Sequence, residues 1–234
     1  MTIPEIIPAI MPQSFSDLQE KVARVSAYVK TVQLDIMDGD FVPEKTWPYL
    51  GDILDFQKLV KEDMGLPEWE KINYEIDLMV SVPDRDAFEW ITAGASRVII
   101  HLESHPEVKE IIARIRREFG RPQEVPTAPE VGVAMGNGTP IEQVYEFVPL
   151  VDFVQLMGIA KIGYQNQPFD ERVLERIRAL RKKFPELIIS IDGAVNEDDD
   201  QDLIKAGANR LVSGSSVFNA ENIKERIEDL KDGV

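Results

Sequence analysis

Two aspartates stand at the ends of apolar, strand-like runs, just ahead of glycine turns. Asp35 closes Thr31-Val32-Gln33-Leu34-Asp35 before Ile36-Met37-Asp38-Gly39, and Asp192 closes Ile188-Ile189-Ser190-Ile191-Asp192 before Gly193-Ala194. A parallel α/β barrel builds its site from side chains at such strand ends. Two carboxylates facing each other across a barrel mouth, one protonated and one ionised, can act as acid and base on opposite sides of a small molecule. An aspartate ahead of glycine also serves simply to stabilise a turn, so the chemical reading needs elements that bring the two ends together.

The chain supplies them. Strand-like runs at 5–11, 31–37, 73–80, 96–103, 129–135, 150–157, 187–192 and 209–213 alternate with amphipathic helical runs near 14–29, 51–64, 84–94, 106–119, 140–147, 169–184, 196–207 and 217–231. Eight such alternations imply a parallel sheet, and eight strands close a (β/α)8 TIM barrel. An open doubly wound sheet is the alternative, but no glycine-rich fingerprint follows the first strand. Ala93-Gly94-Ala95-Ser96-Arg97 and Ala206-Gly207-Ala208-Asn209-Arg210 both read as a glycine-ended helix entering a strand. No linker divides residues 1–234, so one barrel domain is expected. The connection at about 45–73 is unusually long; it reads as a surface elaboration or, alternatively, as a lid or dimer contact. The run Glu197-Asp198-Asp199-Asp200 reads as the acidic first turn of a helix.

Alternation along the strands sorts side chains onto two faces. The continuous apolar rows must lie under the helices, which turns Gln33, Asp35, Asp77, His101, Glu103, Gln155, Ser190 and Asp192 into the barrel. Buried polar groups are costly unless they meet one another, a metal or a ligand. His101 and Glu103 read as a structural couple, and Asp77 either accepts backbone hydrogen bonds or belongs to the site. Met37, Met79 and Met157 share the inward row and form an apolar wall beside whatever the carboxylates act on.

The net charge of −16 argues against nucleic-acid and anionic-membrane partners. A small anion remains compatible, because backbone N–H groups hold phosphate without side-chain cations. The absence of cysteine removes disulfides, thiolate zinc sites and cysteine nucleophiles. With no leader-like or membrane-length apolar run, a cytoplasmic protein is expected. Ser213-Gly214-Ser215-Ser216, Gly193-Ala194 and Gly163-Tyr164-Gln165-Asn166-Gln167 form three small-residue turns after the last three strands, where phosphate-binding barrels hold their anion.

These motifs together resemble the ribulose-phosphate 3-epimerase family. The resemblance rests on Leu34-Asp35-Ile36-Met37-Asp38-Gly39-Asp40-Phe41-Val42-Pro43, Asp77-Leu78-Met79-Val80 with Pro83, and His101-Leu102-Glu103. It continues through Gly163 to Phe169, Ile191-Asp192-Gly193 and Val212-Ser213-Gly214-Ser215-Ser216-Val217-Phe218. It implies an isomerase that interconverts ribulose 5-phosphate and xylulose 5-phosphate, or a related ketose phosphate. Asp35 and Asp192 would move the proton. Met37, Met79, Met157, Gly163, Gln165, Asn166, Gly193, Ala194, Gly214, Ser215 and Ser216 would line the substrate. It also implies a homo-oligomer and a divalent metal. The family usually places histidine at the positions of Gln33 and Asp77, so the implied shell of Gln33, Asp35, Asp77 and Asp192 is all oxygen. That shifts preference from zinc to magnesium or manganese; otherwise no metal binds and the carboxylates raise one another's pKa. Ala9 stands for a usual serine, and Gln165-Asn166 for a Gly-Gly. The rival reading is a non-catalytic sugar-phosphate-binding protein on the same barrel. A lyase or decarboxylase lacks an inward lysine, Lys161 being in a loop.

Overall fold

The computed structural model describes residues 3–163, 167–195 and 199–232. Its strands are β1 (Glu5–Ile10), β2 (Thr31–Met37), β3 (Asn73–Met79), β4 (Arg97–His101), β5 (Glu130–Met135), β6 (Phe153–Met157), β7 (Ile188–Asp192) and β8 (Arg210–Ser213). All pair in parallel with their sequence neighbours, and β8 pairs back onto β1, which closes the barrel. The helices are α1 (Phe15–Val25), α2 (Leu54–Val60), α3 (Pro83–Thr92), α4 (Val108–Phe119), α5 (Glu142–Tyr145), α6 (Arg172–Lys183), α7 (Asp200–Ala206), α8 (Ser215–Phe218) and α9 (Ile223–Asp232). The expected (β/α)8 barrel is the observed fold.

The outward rows, including Val32, Leu34, Ile36, Ile76, Leu78, Val98 and Ile100, join the buried faces of the helices in one large apolar cluster. This layer between barrel and helices supplies most of the apolar burial. Inside the barrel, Ile7, Ala9 and Val212 form one small apolar set and Ile99, Ala134 and Phe153 another. Gly132 leaves room for the Phe153 ring, which would lie 2.5 Å from a Cβ at that position. Below them, Arg97 contacts Glu5 at 3.1 Å, Glu75 at 3.4 Å and Glu130 at 3.3 Å, while Arg210 contacts Glu5 and Glu130 at 3.2 and 2.8 Å. This ion network closes the N-terminal end of the barrel and leaves the C-terminal end open.

Several helices differ from the sequence expectation. The run at 217–231 is two helices, because Asn222 caps a new start by accepting from the Glu225 N–H at 3.3 Å. The run at 51–64 shortens to α2: Asp52 accepts from Leu54 N–H ahead of it, and Glu62 takes a left-handed φ of 60° beyond it. Of the acidic run at 197–200, Glu197 and Asp198 lie outside the described residues. The 45–73 connection is not merely superficial: Trp47 is fully buried and packs edge-on against Phe56 and Trp90. Its Trp69, by contrast, is 63% exposed.

Candidate active site

Register decides which side chains meet. Asp35 pairs across the sheet with Asp77, Met37 with Met79, Gln155 with Ser190 and Met157 with Asp192. β2 and β7 are separated in the ring only by β1 and β8, so the two site aspartates lean into the same region of the barrel. A cavity of about 470 Å³ opens at the C-terminal strand ends. Its wall includes Asp35, Asp192, Met37, Met79 and Met157 as expected, and Ala9 as well. At its other end stand Gly163, Gly193, Ala194, Gly214, Ser215 and Ser216. Gln165 and Asn166, expected to close over this end, lie outside the described residues.

The polar groups beneath the cavity form one buried network. Gln33 Nε2 donates to Asp35 Oδ1 at 2.9 Å and to Asp192 Oδ2 at 3.0 Å. Gln155 Nε2 donates to Asp77 Oδ2 at 3.3 Å and to Asp192 Oδ2 at 3.4 Å, and its carbonyl oxygen accepts from Ser190 Oγ at 3.2 Å. His101 Nε2 contacts Asp77 Oδ1 at 3.0 Å. His101 therefore pairs with Asp77, not with Glu103 as expected. Glu103 lies beyond the end of β4, is exposed, and accepts from Gly136 N–H and Thr139 Oγ, bracing the turn after β5.

Burial and mutual repulsion set the ionisation of this network. Burial, then the charges of Asp192 and Asp77, lift the Asp35 carboxyl well above the usual carboxylate range. Burial and the charge of Asp77 push Asp192 up to about 7, although Gln33, His101 and the Gly193 N–H oppose the rise. Burial works against charging His101, but the adjoining Asp77 carboxylate outweighs it and raises that pKa. Carboxyls held above the usual carboxylate range are suited to giving and taking protons, and two so close share their titration.

Neighbouring backbone fixes the aspartates. Thr46 Oγ donates to the Asp35 carbonyl at 2.7 Å and accepts from Met37 N–H at 2.9 Å, so the long connection holds β2 from outside. Asp38 accepts from the N–H groups of Asp40, Phe41 and Ser81 and from Ser81 Oγ. The loop so pinned lays Phe41 beside the His101 ring, with centroids 5.5 Å apart. After Asp192 the chain turns at Gly193 (φ 95°) and Ala194 (φ 55°), two successive left-handed residues; a β-carbon on nearby Gly158 would meet the Gly193 carbonyl oxygen at 2.2 Å. Behind the small-residue end, Arg226 Nε and Nη2 donate to Ser216 Oγ at 2.8 and 2.6 Å. Thr46 and Arg226 carry no motif, and their placement depends on long-range packing that sequence spacing does not reveal.

One oxygen each from Asp35, Asp77 and Asp192 lies within 4.8 Å of the others. Gln33 Oε1 is buried and unpartnered, and a half-turn of the amide exchanges it for Nε2 at the two aspartates. Three carboxylates and an amide oxygen are a hard donor set of the kind that suits an oxygen-preferring divalent cation.

A family model described as the ribulose-phosphate 3 epimerase family matches residues 5–218. A ribulose-phosphate 3-epimerase of Eremothecium gossypii is 30% identical, with 100% of this chain and 94% of the relative covered. The cytoplasmic isoform of the enzyme from Oryza sativa subsp. japonica is 32% identical over 98% of this chain and 94% of its own length. Solved structures with the same fold include a 3-hexulose-6-phosphate synthase from Salmonella typhimurium, with a TM-score of 0.65 and 12% identity over 98% and 97% of the two chains. A 3-keto-L-gulonate-6-phosphate decarboxylase from Vibrio cholerae gives 0.65 and 16% over 99% and 97%. At that identity these two speak for the barrel alone. The family match and the two epimerase relatives support a sugar-phosphate epimerase. The chain belongs to the ribulose-phosphate 3-epimerase family.

Proposed function

We propose that the protein epimerises a ketose phosphate at C3, with ribulose 5-phosphate and xylulose 5-phosphate as the substrate pair. The observation that carries this reading is the pair of buried carboxylates, Asp35 and Asp192, joined through one amide at the floor of an open cavity. One, as carboxylate, takes the proton from the carbon beside the carbonyl. The other, as carboxylic acid, returns a proton to the opposite face. The raised pKa values support this division, since a site with both groups ionised has no acid. Met37, Met79 and Met157 exclude water from the reacting carbons. The turns Gly193-Ala194 and Gly214-Ser215-Ser216 take the phosphate, with Gly163 in the same wall. Asp35, Asp77, Asp192 and Gln33 Oε1 would hold a magnesium or manganese ion, which supplies Lewis-acid stabilisation of negative charge on the substrate oxygens.

The rice relative is named a cytoplasmic isoform, and the same location is proposed here, as is a homo-oligomer. Among the described residues, no helix is long and apolar enough to cross a membrane. The reading is tested by NMR of ribulose 5-phosphate in deuterated water, first with chelator and then with magnesium, manganese or zinc. Deuterium at C3 is expected, fastest with magnesium or manganese. No exchange with this or any other ketose phosphate would leave the non-catalytic binder as the better reading.

A further inference from the structure

A second cavity, of about 400 Å³, adjoins the catalytic one. The two share Ala9, Met11, Gly214, Ser215 and Asn219 in their walls. The second adds a wall from α1 that carries two cations, Lys21 and Arg24. Among the described residues no aspartate or glutamate lines this second cavity, although the chain has a net charge of −16. Both cations are held in place: Lys21 Nζ donates to the Met11 carbonyl at 3.1 Å and to Asp17 at 2.8 Å. Arg24 Nη2 donates to the Phe218 carbonyl at 2.6 Å, with its guanidinium 5.3 Å over the Phe218 ring. Side chains already fixed lose little freedom when an anion arrives. Arg24 has no carboxylate partner among the described residues, and Lys21 keeps a third ammonium hydrogen beyond its two bonds. Gln13 and Asn219 add amide donors to the same cavity.

Gly214 and Ser215, the turn assigned above to the substrate phosphate, thus have a cation-lined space on their far side. We propose that this space is a second anion subsite, which takes a phosphoryl group next to the first. The full site then accepts a diphosphoryl ligand, or two separate phosphate ions, in addition to a sugar monophosphate. Charge-assisted N–H···O bonds from a guanidinium and an ammonium are the contacts such a group requires. The proposal rests on the epimerase reading only for what occupies the catalytic cavity; the subsite itself stands on Lys21, Arg24 and the space between them.

Inorganic phosphate and inorganic pyrophosphate, titrated calorimetrically into the full chain and into a Lys21→Gln/Arg24→Gln double variant, provide the test. Both positions lie on the outer part of α1, and circular dichroism checks that the variant folds. Pyrophosphate binding at least about tenfold tighter than phosphate, with that advantage lost in the variant, supports a diphosphoryl ligand. Two equivalents of phosphate falling to one in the variant support two separate ions. Parent and variant behaving alike toward both probes overturns the subsite. Deuterium exchange into ribulose 5-phosphate is measured on the same parent preparation. Loss of exchange alone counts against the epimerase reading, and indifference to the double substitution alone counts against the subsite.

Discussion

Asp35 and Asp192 share a single amide: Gln33 Nε2 lies 2.9 Å from a carboxylate oxygen of the first and 3.0 Å from one of the second. The amide keeps two mutually repelling groups at a fixed separation, and its N–H bonds lower the pKa of each against the upward push of burial. Gln33→Met keeps the length and removes the donor. A fall in kcat/KM of roughly tenfold to a thousandfold is expected, since general acid–base groups of this kind contribute about 10²–10⁴. Steady-state assays of ketose-phosphate conversion check it, and an unchanged rate would show that the aspartates need no such tie.

Thr46 reaches Asp35 from outside the barrel through its carbonyl, and also caps Met37 N–H. Thr46→Val preserves shape but leaves both buried backbone groups without that partner. The expected loss is about 1–3 kcal/mol of stability, seen as a Tm lower by roughly 2–10 °C, with a reduced kcat because Asp35 is less firmly set. Calorimetry and kinetics on the same protein test the two together.

Arg226 supports the small-residue end through the Ser216 hydroxyl. Ser216→Ala removes that tie without deleting a buried cation. KM for the ketose phosphate is expected to rise roughly tenfold or more, since the two guanidinium contacts to this hydroxyl are lost and a hydrogen bond to a charged group is worth about 1.5–3 kcal/mol, while kcat changes little. A drop in kcat at constant KM would place Ser216 in the chemistry instead.

At the closed end of the barrel, burial pushes Glu75 up to about 7 from an ordinary value near 4.5, although Arg97 and Arg210 pull against it. Its ion pair with Arg97, at 3.4 Å, does not offset the lost hydration. A raised native-state pKa means that the folded protein binds this proton more tightly than the unfolded chain. The resulting stabilisation is present below about pH 4.5 and is lost as pH rises through about 7. Glu75→Gln removes the titration. Between about pH 4.5 and 8 the variant should lose less stability than the parent, by up to about 3 kcal/mol. Urea unfolding at the two pH values measures the difference, and equal losses would contradict it.

Much of this was legible in the chain. The eight alternations gave the barrel, because helix and strand periods are separable and parallel strands require crossovers. The inward row placed Gln33, Asp35, Asp77, His101, Gln155, Ser190 and Asp192 together, because alternation on a closed sheet leaves one face inside. Pairing within that row was less accessible. His101 meets Asp77 across the strands, whereas Glu103 lies past the last ladder residue of β4, where alternation no longer sets direction. The break between α8 and α9 was hidden because the polar residues at 219–222 also fit a helix surface. Thr46 and Arg226 reach the site through a loop and a terminal helix whose docking no local pattern encodes.

The central claim is that both Asp35 and Asp192 carry protons in the reaction. It is tested most directly by following ribulose 5-phosphate conversion in deuterated water with the parent, Asp35→Asn and Asp192→Asn. Each variant should stay folded and bind inorganic phosphate at the small-residue turns. The parent should yield xylulose 5-phosphate with deuterium at C3, and each variant should lose conversion by at least about a thousandfold. Full conversion by either variant would contradict the two-aspartate account.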